Sequence, residues 1–139
     1  MKKALILAFS ILFAVLSCGT KKDGESTAKV EATTQTVTNL DPKAFQEKSA
    51  EAIVLDVRTP EEVAAGKIAG AIAIDFYGSD FLEKAKELPK DREILVYCAV
   101  GARSAEAAEM LAKEGFAGVY HLGGGIRAWT AAGLPTVQE

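Results

Sequence analysis

Short apolar runs alternate with helix-forming stretches over most of the chain from Val37 onward. Residues 52–57 are apolar except for one aspartate, which is typical of a strand buried on both faces of a sheet. Further short strands are predicted at 71–74, 93–97 and 118–122. Strands that alternate with helices form a mostly parallel sheet with helices on both faces. The pattern therefore predicts an α/β fold.

Local signals indicate where the helices between these strands begin. Thr59, Pro60 and Glu62 form a capping-box pattern with proline at the first helical position, so a helix is expected to start there. Ser79 is expected to cap the next helix. The later helices are predicted over 79–88, 104–114 and 126–132.

The N-terminal residues follow a different pattern. Lys2 and Lys3 give a basic start, and the run from Ala4 to Leu16 is apolar except for Ser10. A helix needs about 20 apolar residues to span a bilayer. This run has 13, which is too short for a span but suits an export signal.

The apolar run ends in Val15-Leu16-Ser17-Cys18, which resembles the signal of bacterial lipoproteins. That resemblance implies a signal peptide over 1–17 and a lipid on Cys18. The protein would then be exported and anchored in the membrane by that lipid, on the periplasmic side or the cell surface. The alternative is an ordinary cleavable signal with an incidental cysteine. The polar residues that follow Cys18, up to 36, predict a flexible tether, and 37–139 predict the folded domain.

Length, charge and cysteine content narrow the possibilities. A chain of 139 residues with a formal net charge of −3 fits one domain, expected to be monomeric, without a nucleic-acid partner. The only cysteines are Cys18 and Cys98. If Cys18 carries a lipid, Cys98 has no partner within the chain, and an odd cysteine in an exported protein indicates a reactive thiol. The alternative is a buried cysteine that packs as a small hydrophobic residue.

The loop that begins at Cys98 has the composition of an anion cradle. It follows a predicted parallel strand, and parallel sheets bind ligands at the carboxyl ends of their strands. Gly101 permits a tight bend, and Arg103 adds a planar guanidinium. Backbone amides can turn inward along the whole loop, at Ala99, Val100, Gly101, Ala102, Arg103 and Ser104. Such surroundings lower the pKa of a thiol, so no general base is needed. His121 is expected to be structural or exposed, and no cofactor or metal is expected.

Three motifs in order resemble the rhodanese family. Cys-x-x-Gly-x-Arg-Ser at 98–104 is similar to the active-site loop of rhodanese domains. Residues 55–71 are similar to the family's first signature, and 122–135 to its C-terminal signature. The resemblance covers roughly 37–137. Val63 and Lys67 depart from it, because the family often has an aromatic residue and a histidine there.

The resemblance implies a rhodanese-like three-layer fold and a sulfurtransferase mechanism. Cys98 would take a sulfur atom from thiosulfate or a similar small anionic donor, hold it as a persulfide, and pass it to cyanide or a thiol. Arg103 and the loop amides would bind the donor. Asp56 and Arg58 would line the same mouth, or alternatively form a fold-stabilising ion pair. Asp75, also near a strand end, is a weaker candidate.

Two other functions are compatible with the motifs. Related phosphatases and arsenate reductases commonly have the arginine six positions after the cysteine, whereas Arg103 is five after Cys98. The smaller loop favours a single sulfur atom over a tetrahedral phosphate. The second alternative is a binding module or a sulfur carrier that serves one protein partner.

Overall fold

The computed structural model describes residues 35–138 of the chain. These residues form one parallel five-stranded sheet, which confirms the predicted fold class. Its order is β1-β5-β4-β2-β3. The strands are β1 (Thr38–Leu40), β2 (Ile53–Asp56), β3 (Ile72–Ala73), β4 (Glu93–Tyr97) and β5 (Gly118–Leu122). The predicted signal peptide, Cys18 and the tether up to residue 34 lie outside the described residues. Within 35–138, no helix is long and apolar enough to cross a membrane.

Helices cover both faces of the sheet and make three layers. They are α1 (Pro42–Ser49), α2 (Pro60–Ala64), α3 (Phe81–Lys86), α4 (Ala102–Ala112) and α5 (Gly125–Ala131). Alternate residues of a strand point to opposite faces. In β4, Ile94 and Val96 therefore pack with α3 and α4, whereas Leu95 and Tyr97 pack with α1 and α5. Because β4 is covered on both sides, it reads as a continuous apolar run.

The start of α3 differs from the expectation. Ser79 does not cap this helix; its N-cap is Asp80, which makes no side-chain capping bond. A turn leads directly into the helix, since the Phe81 amide donates to the Gly78 carbonyl. Asp80 has φ −106° and ψ 11°, which is not the extended conformation that lets a capping side chain reach the helix amides. In contrast, the Thr59–Glu62 capping box of α2 is present as predicted.

The strand register aligns the carboxyl ends of the strands. Asp56 of β2 pairs with Tyr97 of β4, and Val96 of β4 pairs with His121 of β5. The loops that follow these strands consequently meet at one edge of the sheet. Cys98 is the first residue after β4 and lies at this edge.

Candidate active site

Cys98 lies where β4 ends and the loop to α4 begins. Its exposed fraction is 0%, and it contributes to the core on the α3–α4 side of the sheet. The loop bends at Gly101, where φ is +102°, a left-handed conformation that favours glycine. A Cβ on Gly101 would also lie 3.1 Å from the amide nitrogen of Gly124. The bend returns the chain over Cys98 before α4 starts.

Backbone N–H groups of the loop turn toward the Cys98 sulfur. The Gly101 amide donates to Sγ over 3.1 Å. The amides of Val100 and Ser104, in the same loop, also favour the charged sulfur. Burial on its own raises the pKa of this thiol, because a buried thiolate loses hydration. The amides and the Ser104 hydroxyl outweigh that effect and hold the pKa of Cys98 below its ordinary value. The nucleophilic thiolate is therefore favoured.

The Ser104 hydroxyl can reach two acceptors. Its Oγ donates to the Gly101 carbonyl over 3.0 Å, and it also lies within reach of the Cys98 sulfur. A hydroxyl has one proton, so it can serve only one of these acceptors at a time. The amides are the permanent donors, and Ser104 is an additional donor when the sulfur carries charge.

Two carbonyls of the loop are held by the start of α5. The Ile126 amide donates to the Cys98 carbonyl over 2.8 Å, and the Arg127 amide donates to the Ala99 carbonyl over 3.2 Å. These bonds use two amides at the start of a helix that otherwise have no partner within it. Since a peptide's carbonyl and N–H point in opposite directions, fixing these two carbonyls also fixes the N–H groups of the same peptides, those of Ala99 and Val100.

Gly125 makes this contact between α5 and the loop possible. It has φ +60°, and a Cβ there would lie 2.4 Å from the Cys98 carbonyl oxygen and 2.5 Å from the Ala99 carbonyl carbon. The sequence interpretation assigned the three glycines at 123–125 to a turn into the last helix. Their motif gives no sign that Gly125 contacts the Cys98 loop.

Arg103 is bound by a carboxylate. Its Nη1 and Nη2 donate to the two oxygens of Glu62 over 2.8 and 2.7 Å. The guanidinium also lies over the ring of Tyr77, with 5.5 Å from Cζ to the ring centroid. The Arg103 hydrogen bonds lower the pKa of Glu62 to about 2, so Glu62 is ionised at neutral pH. The sequence identified Glu62 only as a helix-capping residue and did not single out Tyr77.

Asp56 and Arg58 form a buried ion pair. The Arg58 Nη2 lies 2.6 Å from Asp56 Oδ2, and their exposed fractions are 5% and 0%. Arg58 also donates to the carbonyls of Glu62 and Gly66 over 3.1 and 2.8 Å. The Tyr97 hydroxyl donates to Asp56 over 2.5 Å. These contacts are all internal to the domain, and the ion pair expected as one alternative is therefore observed. A role for Asp56 or Arg58 in donor binding stays a prediction.

The other candidates occupy different surroundings. Val100 is 52% exposed, Ala102 is exposed and Ala99 is half-buried. His121 is also half-buried; burial lowers its pKa, and its Nδ1 has no hydrogen-bond partner within 35–138. Asp75 accepts from the Tyr77 amide over 2.9 Å.

A cavity of about 340 Å³ lies at the same edge of the sheet. It is lined by Arg58, Pro60, Val63, Ala64, Lys67, Ala73 and Asp75, and Cys98 is not among the lining residues. Val63 and Lys67, the two departures from the rhodanese signature, both face this cavity. Among the residues that the structure describes, no three His, Cys, Asp or Glu side chains form a group that could hold a metal ion.

Comparison with known proteins identifies the family. Residues 40–132 match the rhodanese-like domain. The chain belongs to this family. The loop at Cys98 and the signatures on either side of it are therefore rhodanese motifs. A sulfurtransferase from Allochromatium vinosum is 36% identical over 104 residues, which are 73% of this chain and 95% of that protein.

Further rhodanese relatives carry different names. Thiosulfate sulfurtransferase 16 of Arabidopsis thaliana is 39% identical over 59% of this chain and 77% of its own length. A tRNA uridine(34) hydroxylase of Cytophaga hutchinsonii is 38% identical over 70% of this chain, but over only 33% of its own length. The crystal structure of a rhodanese-related protein from Thermoplasma volcanium is similar with a TM-score of 0.68 and 37% identity. The match covers 73% of this chain and 99% of that one.

Proposed function

We propose that this rhodanese-like domain is a sulfurtransferase that carries sulfane sulfur as a persulfide on Cys98. The observation that carries the proposal is the Gly101 amide, which donates to the buried Cys98 sulfur over 3.1 Å. The Val100 and Ser104 amides of the same loop act with it to lower the pKa of the thiol. They favour the thiolate that begins the reaction. They can also stabilise the negative charge of the persulfide that follows, because preorganised donors cost no reorganisation when charge develops.

The reaction has two balanced steps. In the first, the Cys98 thiolate attacks the outer sulfur of thiosulfate or a similar anionic donor. The sulfur–sulfur bond of the donor breaks, and the leaving group, sulfite in the case of thiosulfate, departs with the electron pair. In the second, cyanide or a thiol attacks the terminal sulfur of the persulfide. Thiocyanate or a new persulfide leaves, and the Cys98 thiolate is regenerated.

The enclosure of Cys98 supports sulfur transfer over phosphoryl transfer. The residue is 0% exposed, and the loop from Cys98 to Arg103 closes tightly enough for the Gly101 amide to reach Sγ at 3.1 Å. A terminal sulfur is a single atom that can extend from Cys98 toward these amides. A phosphoryl group has three outward oxygens and needs a wider ring of donors.

Mass spectrometry of the intact domain tests the proposal. After incubation with thiosulfate, the mass should rise by one sulfur atom, and cyanide should reverse the increase. The matched variant Cys98→Ser removes only the nucleophile and should gain no mass. An adduct that forms but does not turn over with cyanide would favour a partner-specific carrier. The absence of any adduct on reduced, folded protein would exclude a persulfide mechanism.

We further propose that the protein is exported and held at the membrane by a lipid on Cys18. The support is the sequence Val15-Leu16-Ser17-Cys18 after a short apolar run, followed by polar residues. Metabolic labelling with a fatty acid should mark the wild type and not the Cys18→Ser variant. Release of unlabelled wild-type protein in soluble form would favour the ordinary signal peptide.

A further inference from the structure

The one cation in the Cys98 loop is already paired. Both terminal nitrogens of Arg103 donate to Glu62, over 2.8 and 2.7 Å, and the Arg103 side chain is 17% exposed. Arg127, whose backbone contacts the loop, lines a separate cavity with Gly66 and Thr136. The pairing of Arg103 with Glu62 therefore affects how strongly the mouth of the site attracts an anionic donor.

Glu62 is held in place from a second side. Its Oε2 accepts from the Thr59 amide over 3.1 Å, and its own amide donates to the Thr59 hydroxyl over 3.4 Å. This capping box fixes the carboxylate at the start of α2 independently of Arg103. The ion pair therefore joins α2 to the Cys98 loop through a carboxylate that cannot easily move away.

A paired guanidinium attracts anions less than a free one. At a distance the two opposite charges cancel, so a doubly charged donor gains little from Arg103. If Arg103 left Glu62 to contact the donor, the exposed carboxylate would then repel that donor. A donor with one negative charge loses less from this arrangement, because its attraction and its repulsion are both smaller.

The surface around Arg103 is partly apolar. The exposed large hydrophobic side chains among residues 35–138 are Ile72, Tyr77 and Val100. The Tyr77 ring stacks on Arg103 and is 70% exposed, and Val100, in the same loop, is 52% exposed. An organic group on the donor could cover these side chains, whereas the sulfonate oxygens of thiosulfate could not benefit from them.

We propose that the Glu62–Arg103 ion pair sets the donor preference of the site. It favours singly charged sulfane-sulfur donors that carry an organic group over the doubly charged thiosulfate. This inference rests on the proposed function, since it names the class of donor for the same Cys98 nucleophile. Glu62 and Arg103 are thus specificity-determining residues.

A thiosulfonate is a donor of this class that can transfer sulfur to Cys98 in the same way as thiosulfate. The Cys98 thiolate attacks the terminal sulfur of benzenethiosulfonate, and the sulfur–sulfur bond of the donor breaks. Benzenesulfinate leaves with the electron pair and one negative charge, and the persulfide anion on Cys98 keeps the other. Thiosulfate gives the same persulfide with sulfite as the leaving group. The two donors can therefore be compared on one acceptor, cyanide.

The experiment measures kcat/KM of both donors on the wild type and on Glu62→Gln. Glutamine keeps an acceptor oxygen for the Thr59 amide, so the capping box of α2 is retained while the negative charge is removed. Released from its partner, Arg103 should raise kcat/KM for thiosulfate about two- to fivefold, the range a partly exposed charge pair can supply. The kcat/KM for benzenethiosulfonate should change less, so the ratio of kcat/KM for thiosulfate to kcat/KM for benzenethiosulfonate should rise.

Two control variants separate the ion pair from other causes. Glu61→Gln removes the same charge from the neighbouring, exposed position of α2 and should leave the ratio unchanged. Adding Arg103→Gln to Glu62→Gln should cancel the gain for thiosulfate, because the freed guanidinium is then absent. If Glu61→Gln shifts the ratio as much as Glu62→Gln does, net charge is the cause and the proposal is wrong.

Ionic strength gives a test on the unmodified protein. Salt screens the attraction between a free cation and a dianion. Since Arg103 is paired, wild-type kcat/KM for thiosulfate should fall little as salt rises, and that of a folded Glu62→Gln variant should fall more. A steep fall for the wild type, or an unchanged donor ratio in Glu62→Gln, would overturn the proposal. Failure of the proposed function is distinct, because neither donor would then add sulfur to Cys98.

Discussion

At the scale of the residue, the pKa of Cys98 results from two opposing effects. Burial disfavours the thiolate, while the loop amides and the Ser104 hydroxyl favour it and prevail, so the pKa of Cys98 is lowered. The amides belong to the backbone, and the one substitution that removes an N–H, proline, would also alter the loop's conformation. Among residues 35–138, Ser104 is the one side-chain donor to the sulfur, so it offers direct experimental access to this balance.

We expect Ser104→Ala to raise the pKa of Cys98. The wild-type thiol should titrate below a free cysteine, and the variant should titrate above the wild type because one donor to the thiolate is lost. Persulfide formation needs the thiolate, so its rate should fall as pH drops through the pKa of Cys98, and at a higher pH in the variant. The far-ultraviolet absorbance of the thiolate, followed against pH, measures both midpoints without a bulky reagent.

The control for this titration is Ser79→Ala. Ser79 is exposed in the turn before α3, so its loss should leave the titration of Cys98 unchanged. Equal midpoints for the wild type and Ser104→Ala would mean that the hydroxyl stays on the Gly101 carbonyl and that the amides alone set the pKa.

At the scale of the element, α5 acts as a brace for the Cys98 loop. Its first amides hold the carbonyls of Cys98 and Ala99, and Gly125 permits the approach. No side chain of the rhodanese C-terminal signature forms one of the structure's hydrogen bonds to the Cys98 sulfur. The signature shapes the site through its backbone instead. The brace is a property of packing between two loops that are distant in the sequence.

We expect Gly125→Ala to impair persulfide formation by at least about tenfold, since small displacements of a catalytic group can cost about a hundredfold. The added Cβ would lie 2.4 Å from the Cys98 carbonyl oxygen, so the start of α5 must move away from the loop. The carbonyls of Cys98 and Ala99 then lose their donors, and the amides of Ala99 and Val100 in the same peptides lose their fixed direction. Single-turnover mass spectrometry at a temperature where the variant is folded gives the rate.

Gly133→Ala is the matched control at the other end of the same segment. Gly133 also has a left-handed conformation, φ +75°, but a Cβ there meets nothing within 4 Å. Alanine should cost about 1 kcal/mol of unfolding free energy through backbone strain, with persulfide formation unchanged. If both variants lost activity equally, general destabilisation would explain the loss and α5 would not be a brace.

At the scale of the whole molecule, the sequence predicted the fold well and the partners within the site less well. Strands such as β4 and helices such as α4 are local patterns of apolar residues, and the Thr59–Glu62 cap is a contact between neighbours. The pairing of Arg103 with Glu62 joins residues 41 positions apart, and the contact of Gly125 with Cys98 joins two loops that follow different strands. Such contacts depend on strand order, which the pattern of apolar residues does not contain.

The Asp56–Arg58 pair also makes contacts with distant parts of the sequence, and these contacts bear on the stability of the domain. Asp56 ends β2 and accepts from Tyr97 at the end of β4, and Arg58 binds the backbone of Glu62 and Gly66. The Tyr97 hydroxyl also accepts from the Ile68 amide over 3.1 Å. The pair therefore connects β2 and β4 to α2 and to the segment that follows it, and it does so almost without access to solvent.

We expect Arg58→Met to reduce the unfolding free energy by about 3–5 kcal/mol, because it leaves the buried Asp56 carboxylate without its cation. The double variant Asp56→Asn/Arg58→Met should be more stable than Arg58→Met alone. It removes both charges, and asparagine keeps an acceptor for Tyr97. Urea unfolding followed by circular dichroism measures all three proteins.

Persulfide formation by the double variant, where folded, should stay near the wild-type rate if the pair serves the fold alone. A strong loss of persulfide formation in a folded, stable double variant would instead assign Asp56 or Arg58 to donor binding.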